Sequence, residues 1–371
     1  MSISSRIDFY EITFYITTDP FTHRSIEDFL LNMKDYVNKK LPNNNSNIYL
    51  LSYGGTIASL SEKTTDEFYN KPNINIHDLL SEISDITHSV NIHYEQVAQI
   101  MSHEMTHNDL LNLAIKINNV LQNNEVDGIV ITQGTNCIEE AAYFVNLVIN
   151  TEKPIVFTGA LRPSNALGFD GYRNLYNSIL LASSIQTRKI GVILTFNDTI
   201  HCARDATKKD PSSIIGLSSN DISMLGCVQG NDVHVSRVPK HKHTYCSEFS
   251  VDKILALPKV YVIYGHLGID DIFVDAAVAN GAVGIISAGM GKGYQSPVTT
   301  EALIKAVKKG VVVVRCSRTG NGYISRDPKL DDKYGFIVGG SLSPTKARLL
   351  LMVGLSQTND KDQLQNYFYE Y

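Results

Sequence analysis

Short apolar runs alternate with amphipathic stretches from Asn47 onward, and this alternation constrains the possible folds of the chain most strongly. Four apolar runs are typical of buried strands, at residues 48–52, 128–132, 154–158 and 190–195. Helical patterns lie between them, for example at 107–121 and 139–150. This βαβ rhythm predicts an α/β fold with a mostly parallel sheet that is covered by helices on both faces.

A second set of the same kind follows a polar segment, with strands predicted at 259–264, 283–288 and 311–315 and helices at 300–308 and 344–355. We therefore predict a large α/β domain over residues 46–240, a linker over 241–258 and a small C-terminal α/β domain over 259–371. His241 and His243 are expected to be solvated linker residues. Residues 1–45 are predicted to form an N-terminal extension of a strand and a helix, either packed on the main domain or docking a partner.

Composition excludes several classes of function. The 371 residues carry a formal net charge of -5 and no long basic block, so nucleic-acid binding has no electrostatic support. Five cysteines at scattered spacings favour reduced thiols over disulfides, and no His/Cys spacing predicts zinc. The N-terminus has no signal-peptide pattern, and no apolar run approaches the ~20 residues that span a bilayer. We predict a cytoplasmic protein without a membrane or nucleic-acid partner.

Polar residues follow three of the predicted strands, at the sheet edge where open α/β folds bind ligands. After the first strand, two glycines allow Thr56 to be exposed on a mobile loop, and the polar segment 61–70 can act as a lid that carries Tyr69. After the second comes Gln133-Gly-Thr-Asn136, where a strand-end threonine is a plausible reactive hydroxyl. After 190–195, Lys208 is a candidate base, because a buried lysine beside a hydroxyl can lose its proton.

Taken in order, these motifs are similar to those of one family. Those that carry the similarity are Gly54-Gly-Thr-Ile-Ala58, Gln133-Gly-Thr-Asn-Cys-Ile-Glu-Glu140, Gly159-Ala-Leu-Arg-Pro-Ser164, Asp170-Gly171, Asn174-Leu-Tyr-Asn177, Arg204-Asp205 with Thr207-Lys208, Ser287-Ala-Gly289, Arg315-Cys-Ser-Arg318, Asp331-Asp-Lys-Tyr-Gly335 and Pro344-Thr-Lys-Ala-Arg348. From about residue 47 to 371 the chain resembles the bacterial-type L-asparaginases. The resemblance implies a two-domain asparaginase-like fold, with a larger N-terminal flavodoxin-like parallel-sheet domain and a smaller C-terminal α/β domain.

The resemblance also implies roles for individual residues. Thr56 would attack a side-chain amide to form an acyl-enzyme, Tyr69 would hydrogen-bond that nucleophile, and Thr135 with Lys208 would move protons. Backbone N–H groups near both threonines would stabilise the oxyanion. Substrate binding would fall to Gly55, Ser102, His103, Gly134, Asn136 and Ala160, with Ser102 on the α-carboxylate. The resemblance implies no metal or organic cofactor, a small-molecule amide as substrate, and assembly as a homodimer or homotetramer.

The chain departs from the family pattern at the positions that bind the charged groups of an amino-acid substrate. Asn136 replaces the aspartate that holds the substrate's α-ammonium, a loss of about 1.5–3 kcal/mol for a charge-assisted hydrogen bond, or roughly ten- to hundredfold in recognition. The Asn NH₂ would also point donors at a group that has only donors. The other departures are His103 for Gln, Gln133 for His, and Gly268 and Lys329 at positions where a neighbouring subunit contributes Asn and an acid.

Three functions remain open from the sequence. Because Thr56, Tyr69, Thr135 and Lys208 are retained, the first is an active amidohydrolase whose substrate has its amine absent, acylated or built into a larger molecule. The second is a true but weak L-asparaginase in which Asn136 serves as a poorer aspartate. The third is a non-catalytic descendant that binds a ligand or partner. Without a paired carboxylate, Lys208 is also expected to deprotonate more easily.

Overall fold

The computed structural model of the chain describes residues 46–371, apart from residue 67 and the segments 84–89 and 220–222. The predicted N-terminal extension, residues 1–45, lies outside the described residues, so its strand and helix remain predictions.

The described strands and helices follow in chain order. The strands are β1 (Asn47–Gly54), β2 (Asn91–Ile100), β3 (Gly128–Thr132), β4 (Ile155–Thr158), β5 (Val192–Phe196), β6 (Thr199–Cys202), β7 (Thr207–Lys208), β8 (Leu217–Ser218), β9 (Met224–Gln229), β10 (Asp232–Val235), β11 (Val260–Tyr264), β12 (Gly284–Gly289), β13 (Val312–Ser317) and β14 (Ile337–Val338). The α-helices are α1 (Ile76–Ser81), α2 (His107–Leu121), α3 (Ile138–Val148), α4 (Gly171–Ser183), α5 (Ile272–Ala279), α6 (Pro297–Lys308), α7 (Pro344–Leu355) and α8 (Lys361–Glu370).

The large sheet has the strand order β10-β9-β6-β5-β4-β3-β1-β2 within the described residues. Strands β1 to β5 pair in parallel, and β6, β9 and β10 continue the sheet antiparallel. Every residue of β3, β4 and β5 is buried. Central parallel strands are covered on both faces, which is why these segments are apolar runs rather than alternating ones.

The small sheet has the order β11-β12-β13-β14 and pairs in parallel throughout. Its helix α7 begins sharply, because the Ser343 side chain accepts from Lys346 N and Pro344 occupies the first turn. One apolar cluster includes Ile129 and Phe157 of the large sheet together with Ile286 and Val314 of the small sheet. The predicted fold class, an α/β chain with a larger N-terminal and a smaller C-terminal sheet, is confirmed.

The segment after the large sheet differs from the expected solvated linker at His243. That side chain is only 5% exposed, and its Nδ1 atom lies 2.9 Å from Thr244 Oγ1. The expectation for His243 is therefore wrong. The physical reason is that the segment packs inward, since Phe249 and Val251 belong to the main apolar core. His241 is half-buried and lines a polar cavity.

Candidate active site

Strand ends of the large domain open onto one cavity of about 890 Å³. It is lined by all four residues predicted to be catalytic and by Asn136. The five are Thr56, Tyr69, Thr135, Asn136 and Lys208. Thr56 follows the end of β1, Thr135 and Asn136 follow β3, and Lys208 lies in β7. Thr56, Thr135 and Asn136 thus meet beyond the carboxyl ends of parallel strands, as expected for an open α/β sheet. Lys208 joins them from the separate antiparallel pair β7-β8.

Two glycines let the first two strand ends come close together. Gly55 has a φ of 80°, a backbone conformation that favours glycine. A Cβ atom on Gly55 would lie 2.2 Å from Gly134 Cα, so neither backbone leaves room for a side chain between them. The residues that follow, Thr56 and Thr135, both face the cavity as a result. The two glycines therefore shape the site without lining the cavity themselves.

A docked lid covers the first threonine. Tyr69 Oη lies 2.8 Å from Thr56 Oγ1. The lid is fastened to the loop after β4, since Asn165 Oδ1 accepts from Ser61 N at 2.9 Å and Leu167 N donates to Thr64 O at 2.9 Å. The expectation of an exposed Thr56 on a mobile loop is wrong in this respect: Thr56 begins a 3₁₀ turn and is 4% exposed. Its contact with solvent runs through the cavity.

The second threonine pairs with the lysine. Lys208 Nζ donates to Thr135 Oγ1 at 2.9 Å and to Asn136 Oδ1 at 3.1 Å. Two contacts fix the backbone beneath the amine, because β7 pairs with β8 and the Glu139 carboxylate accepts from Lys208 N. The lysine and the hydroxyl are therefore in place for a proton transfer between them.

Burial lowers the pKa of Lys208 from its ordinary value, while the carboxylates of Asp210 and Glu139 act in the opposite direction. The direction agrees with the expectation of an amine that deprotonates more easily. The expected cause was the missing carboxylate at position 136, whereas the structure gives the main effect to desolvation. Negative charge therefore remains near the amine although residue 136 is an amide.

Asn136 is held in one orientation by its neighbours. Its oxygen faces Lys208, and its Nδ2 lies 3.4 Å from His103 Nδ1. Since an amide NH₂ can only donate, this contact requires an unprotonated Nδ1 on the imidazole. The Asn136 N–H donates to Ser102 Oγ at 3.1 Å, which leaves the Ser102 hydroxyl with its own proton to donate.

The remaining predicted binding residues surround the site without lining the cavity. Ser102 and Ala160 are almost fully buried, at 3% and 1% exposure. His103 is exposed and contacts Asn136. Cys137 donates to Ser102 O at 2.9 Å, and burial raises the pKa of its thiol to about 11. A thiol so protonated is a poor nucleophile at neutral pH.

Several cavity residues were missed by the sequence reasoning. Asp66 of the lid, Arg162 of the loop after β4, and Asp210 after β7 all line the cavity. A signal for Asp210 was present, because residues two apart in an extended chain share a face and Asp210 follows Lys208 by two. No sequence pattern of this kind predicted that the Arg162 side chain would line the cavity.

Among the described helices, none has the length and apolar character needed to cross a membrane. Over the same residues, no group of three or more His, Cys, Asp or Glu side chains is arranged to hold a metal ion.

The two α/β domains, with a cavity lined by two threonines, the tyrosine of the lid and a lysine, belong to an amidohydrolase that acts on linear amides. Residues 47–241 match the family model described as "Asparaginase, N-terminal", and residues 259–368 match "Glutaminase/Asparaginase C-terminal domain". The chain belongs to the asparaginase family.

Individual relatives agree with that assignment. L-asparaginase 2 of Bacillus subtilis is 37% identical over 334 residues, which cover 90% of this chain and 88% of that protein. The glutaminase-asparaginase of Pseudomonas fluorescens is 37% identical over 333 residues, covering 88% of this chain and 91% of that protein. Among solved structures, a probable cytoplasmic L-asparaginase from Campylobacter jejuni superposes with a TM-score of 0.85 at 36% identity, covering 88% of this chain and 100% of that chain.

Proposed function

We propose that the chain hydrolyses a carboxamide through an acyl-enzyme on Thr56, with a substrate other than free L-asparagine. Thr56 Oγ1 would attack the amide carbonyl carbon, its proton passing to a neighbouring base. The C–N bond then breaks, and the nitrogen leaves as ammonia after taking up a proton. Water would hydrolyse the resulting ester, releasing a carboxylic acid and restoring the threonine.

The single observation that carries the proposal is the contact between Lys208 Nζ and Thr135 Oγ1 at 2.9 Å inside the cavity that Thr56 also lines. A half-buried amine with a lowered pKa can accept a proton from a hydroxyl that touches it. Tyr69, 2.8 Å from the Thr56 hydroxyl, provides the corresponding contact for the nucleophile. Both threonines thus have a partner able to move a proton.

The substrate preference rests on Asn136. Its oxygen already accepts from Lys208, and its NH₂ group can only donate. A substrate ammonium has only donors, so this end of the site does not match it. An acylated or missing amine removes the conflict. The cavity of about 890 Å³ lies toward the upper end of the range for ligand pockets and accommodates a substrate larger than a free amino acid.

The test is a comparison of ammonia release from three substrates: L-asparagine, N-acetyl-L-asparagine and succinamic acid, which lacks the amine. We expect kcat/KM for N-acetyl-L-asparagine or for succinamic acid to exceed that for L-asparagine by at least about tenfold. The factor corresponds to the free energy of one charge-assisted hydrogen bond, which under this proposal Asn136 does not supply to an ammonium. Thr56→Ala should abolish the activity and the acyl adduct detected by intact-protein mass spectrometry. Thr65→Ala, on the same lid, serves as the matched control. Efficient hydrolysis of L-asparagine would contradict the proposed preference.

A weak true L-asparaginase is the second candidate, and a specific observation favours it. Asn136 Oδ1 has a second lone pair beyond the one used by Lys208, and the Asp210 carboxylate lines the same cavity. Together they offer acceptors to an ammonium. The relatives named L-asparaginase agree with this alternative.

We also propose that the protein acts in the cytoplasm as a homodimer or homotetramer. Its five cysteines at scattered spacings support a reducing compartment. The assembly is proposed on the likeness to the family and is tested by light scattering of the purified chain.

A further inference from the structure

A second cavity, of about 230 Å³, lies beside the one that contains the threonines. It is lined by three cationic side chains, Arg204, Lys209 and Lys346, and by one carboxylate, Asp205. Its other polar lining residues are His241, Asn321, Thr207, Ser223, Ser341 and Ser343. Positive charge therefore exceeds negative charge by two with a neutral imidazole, in a space large enough for a small molecule.

Arg204 is the first sign that this cavity is built for a ligand. The residue is only 7% exposed. Its Nε donates to Tyr371 O at 2.9 Å, and its Nη1 donates to Asp205 Oδ1 at 3.0 Å and to Ser341 Oγ at 3.1 Å. Within the part of the chain that the structure describes, Nη2 has no hydrogen-bond acceptor. A buried guanidinium with an unused donor group favours an added oxyanion.

Lys346 is the second sign. Its side chain is 1% exposed, and its Nζ donates to the carbonyl oxygens of Arg204, at 2.9 Å, and of Ala206. An ammonium has three donors, so one proton remains without an acceptor among the described residues. Both hydrogen-bond acceptors are neutral, and burial lowers the pKa of this amine although the carboxylates of Glu139 and Asp205 act in the opposite direction. A bound anion would favour its charged form.

The N-terminal end of α7 adds further positive potential to this cavity. Ser343 caps this 12-residue helix and lines the cavity, as does Lys346 in its first turn. The N-terminal end of a helix carries partial positive charge and unpaired N–H groups, which attract anions. Cationic side chains, an unused guanidinium donor and a helix start therefore converge on one small space.

We propose that this cavity binds a small dianionic oxyanion, of the size of inorganic phosphate or a short dicarboxylate, through Arg204, Lys346 and the start of α7. The site is separate from the cavity of the threonines. Thr207 lines the anion cavity and Lys208 the other, as expected for successive residues of a strand, whose side chains point to opposite faces.

The test measures thermal unfolding of the full chain while phosphate or succinate is titrated at constant ionic strength, with chloride as the balancing salt. We expect a saturable rise in Tm with at least one of the two anions, which also identifies the preferred class. Ser341→Asp introduces a carboxylate next to Arg204 and should weaken the apparent affinity at least tenfold. Ser341→Asn, its neutral isostere, should leave the affinity within about threefold.

Lys209→Gln provides a second variant if Ser341→Asp does not fold, and it should weaken the same affinity at least threefold. The absence of a saturable effect with both anions would overturn the proposal. An effect that persists unchanged in Ser341→Asp or, where that variant does not fold, in Lys209→Gln would also overturn it, because the anion would then be bound elsewhere, for instance near Arg162 and Lys208.

Discussion

Tyr69 Oη and Thr56 Oγ1 lie 2.8 Å apart, although the tyrosine belongs to a lid and the threonine to a strand end. The contact exists because the lid is fastened to the loop after β4 through Ser61 and Asn165. In the proposed mechanism, the Thr56 hydroxyl therefore has its tyrosine partner only when the lid is docked, which would couple access to the cavity with activation of the threonine.

Replacing Tyr69 with Phe should lower kcat by about 10²–10⁴-fold, the usual range for loss of a proton-transferring group, with a smaller change in KM. The phenol oxygen contacts Thr56, whereas the ring shape is retained. Phe68→Leu is the matched control, because Phe68 is 88% exposed on the same lid. Steady-state kinetics on the best substrate of the three-compound panel provides the measurement. Equal losses in both variants would mean that the lid, rather than the hydroxyl, matters.

Asn136→Asp separates the two candidate substrates. Under the proposed function we expect less than about a threefold gain on L-asparagine. A carboxylate 3.1 Å from Lys208 Nζ would favour the charged amine, and the NH₂ contact to His103 would be lost. A weak true L-asparaginase would instead gain roughly ten- to hundredfold, the value of one charge-assisted hydrogen bond. Parallel kcat/KM values for L-asparagine and N-acetyl-L-asparagine decide between these outcomes.

Asp210→Asn should move the pH dependence of kcat. In the proposed mechanism the neutral amine of Lys208 is the reactive base, so activity should rise with pH through the pKa of Lys208. The Asp210 carboxylate raises that pKa, and its removal should shift the rising limb to lower pH. Asn keeps the oxygen that accepts from Ser212 N and Ser213 N, so the loop should be preserved. Asp66→Asn is the control, and equal shifts in both variants would contradict an effect specific to Asp210.

The buried His201 should make the free energy of unfolding depend on pH in the acid range. Burial lowers the pKa of its imidazole from the ordinary 6.5 to about 4. An unfolded chain then binds the proton first, so stability should fall as pH drops from about 6.5 to about 4, by roughly 3 kcal/mol at the limit. His201→Gln should flatten this part of the urea-unfolding profile by that difference. An unchanged slope between pH 6.5 and 4 would exclude His201 as its source.

Much of the architecture could be predicted because central parallel strands must be apolar. The bounds of β3, α2 and α7 agree with their predicted ranges. Strand β2 was missed because it borders the sheet, where its residues alternate little and none is buried. The antiparallel strands β6 and β10 have four residues each and mix polar with apolar side chains, which is too little sequence to establish a period. Strand β9 is mostly apolar and was missed as well.

The residues of the candidate site also fall into two groups, those that the sequence predicted and those that it did not. Thr56, Thr135 and Lys208, which line the cavity, could be singled out because their motifs, taken in order, resemble those of one family, whereas each motif alone is a weak signal. Arg162 and Asp66 could not be singled out, since their place in the cavity depends on how the lid and a distant loop meet. The burial of His243 likewise depends on packing from remote elements, which no local pattern records.

Lys346 also links the two domains, which bears on whether either can be produced alone. It belongs to the small sheet's helix α7, yet its amine binds the carbonyls of Arg204 and Ala206, immediately before the strand that carries Lys208. The large domain, which contains both threonines, therefore depends on the small domain for a contact to its backbone next to the candidate site. A truncation ending near residue 258 would remove the amine that binds the backbone just before Lys208, so this part of the candidate site is supported only when both halves are present.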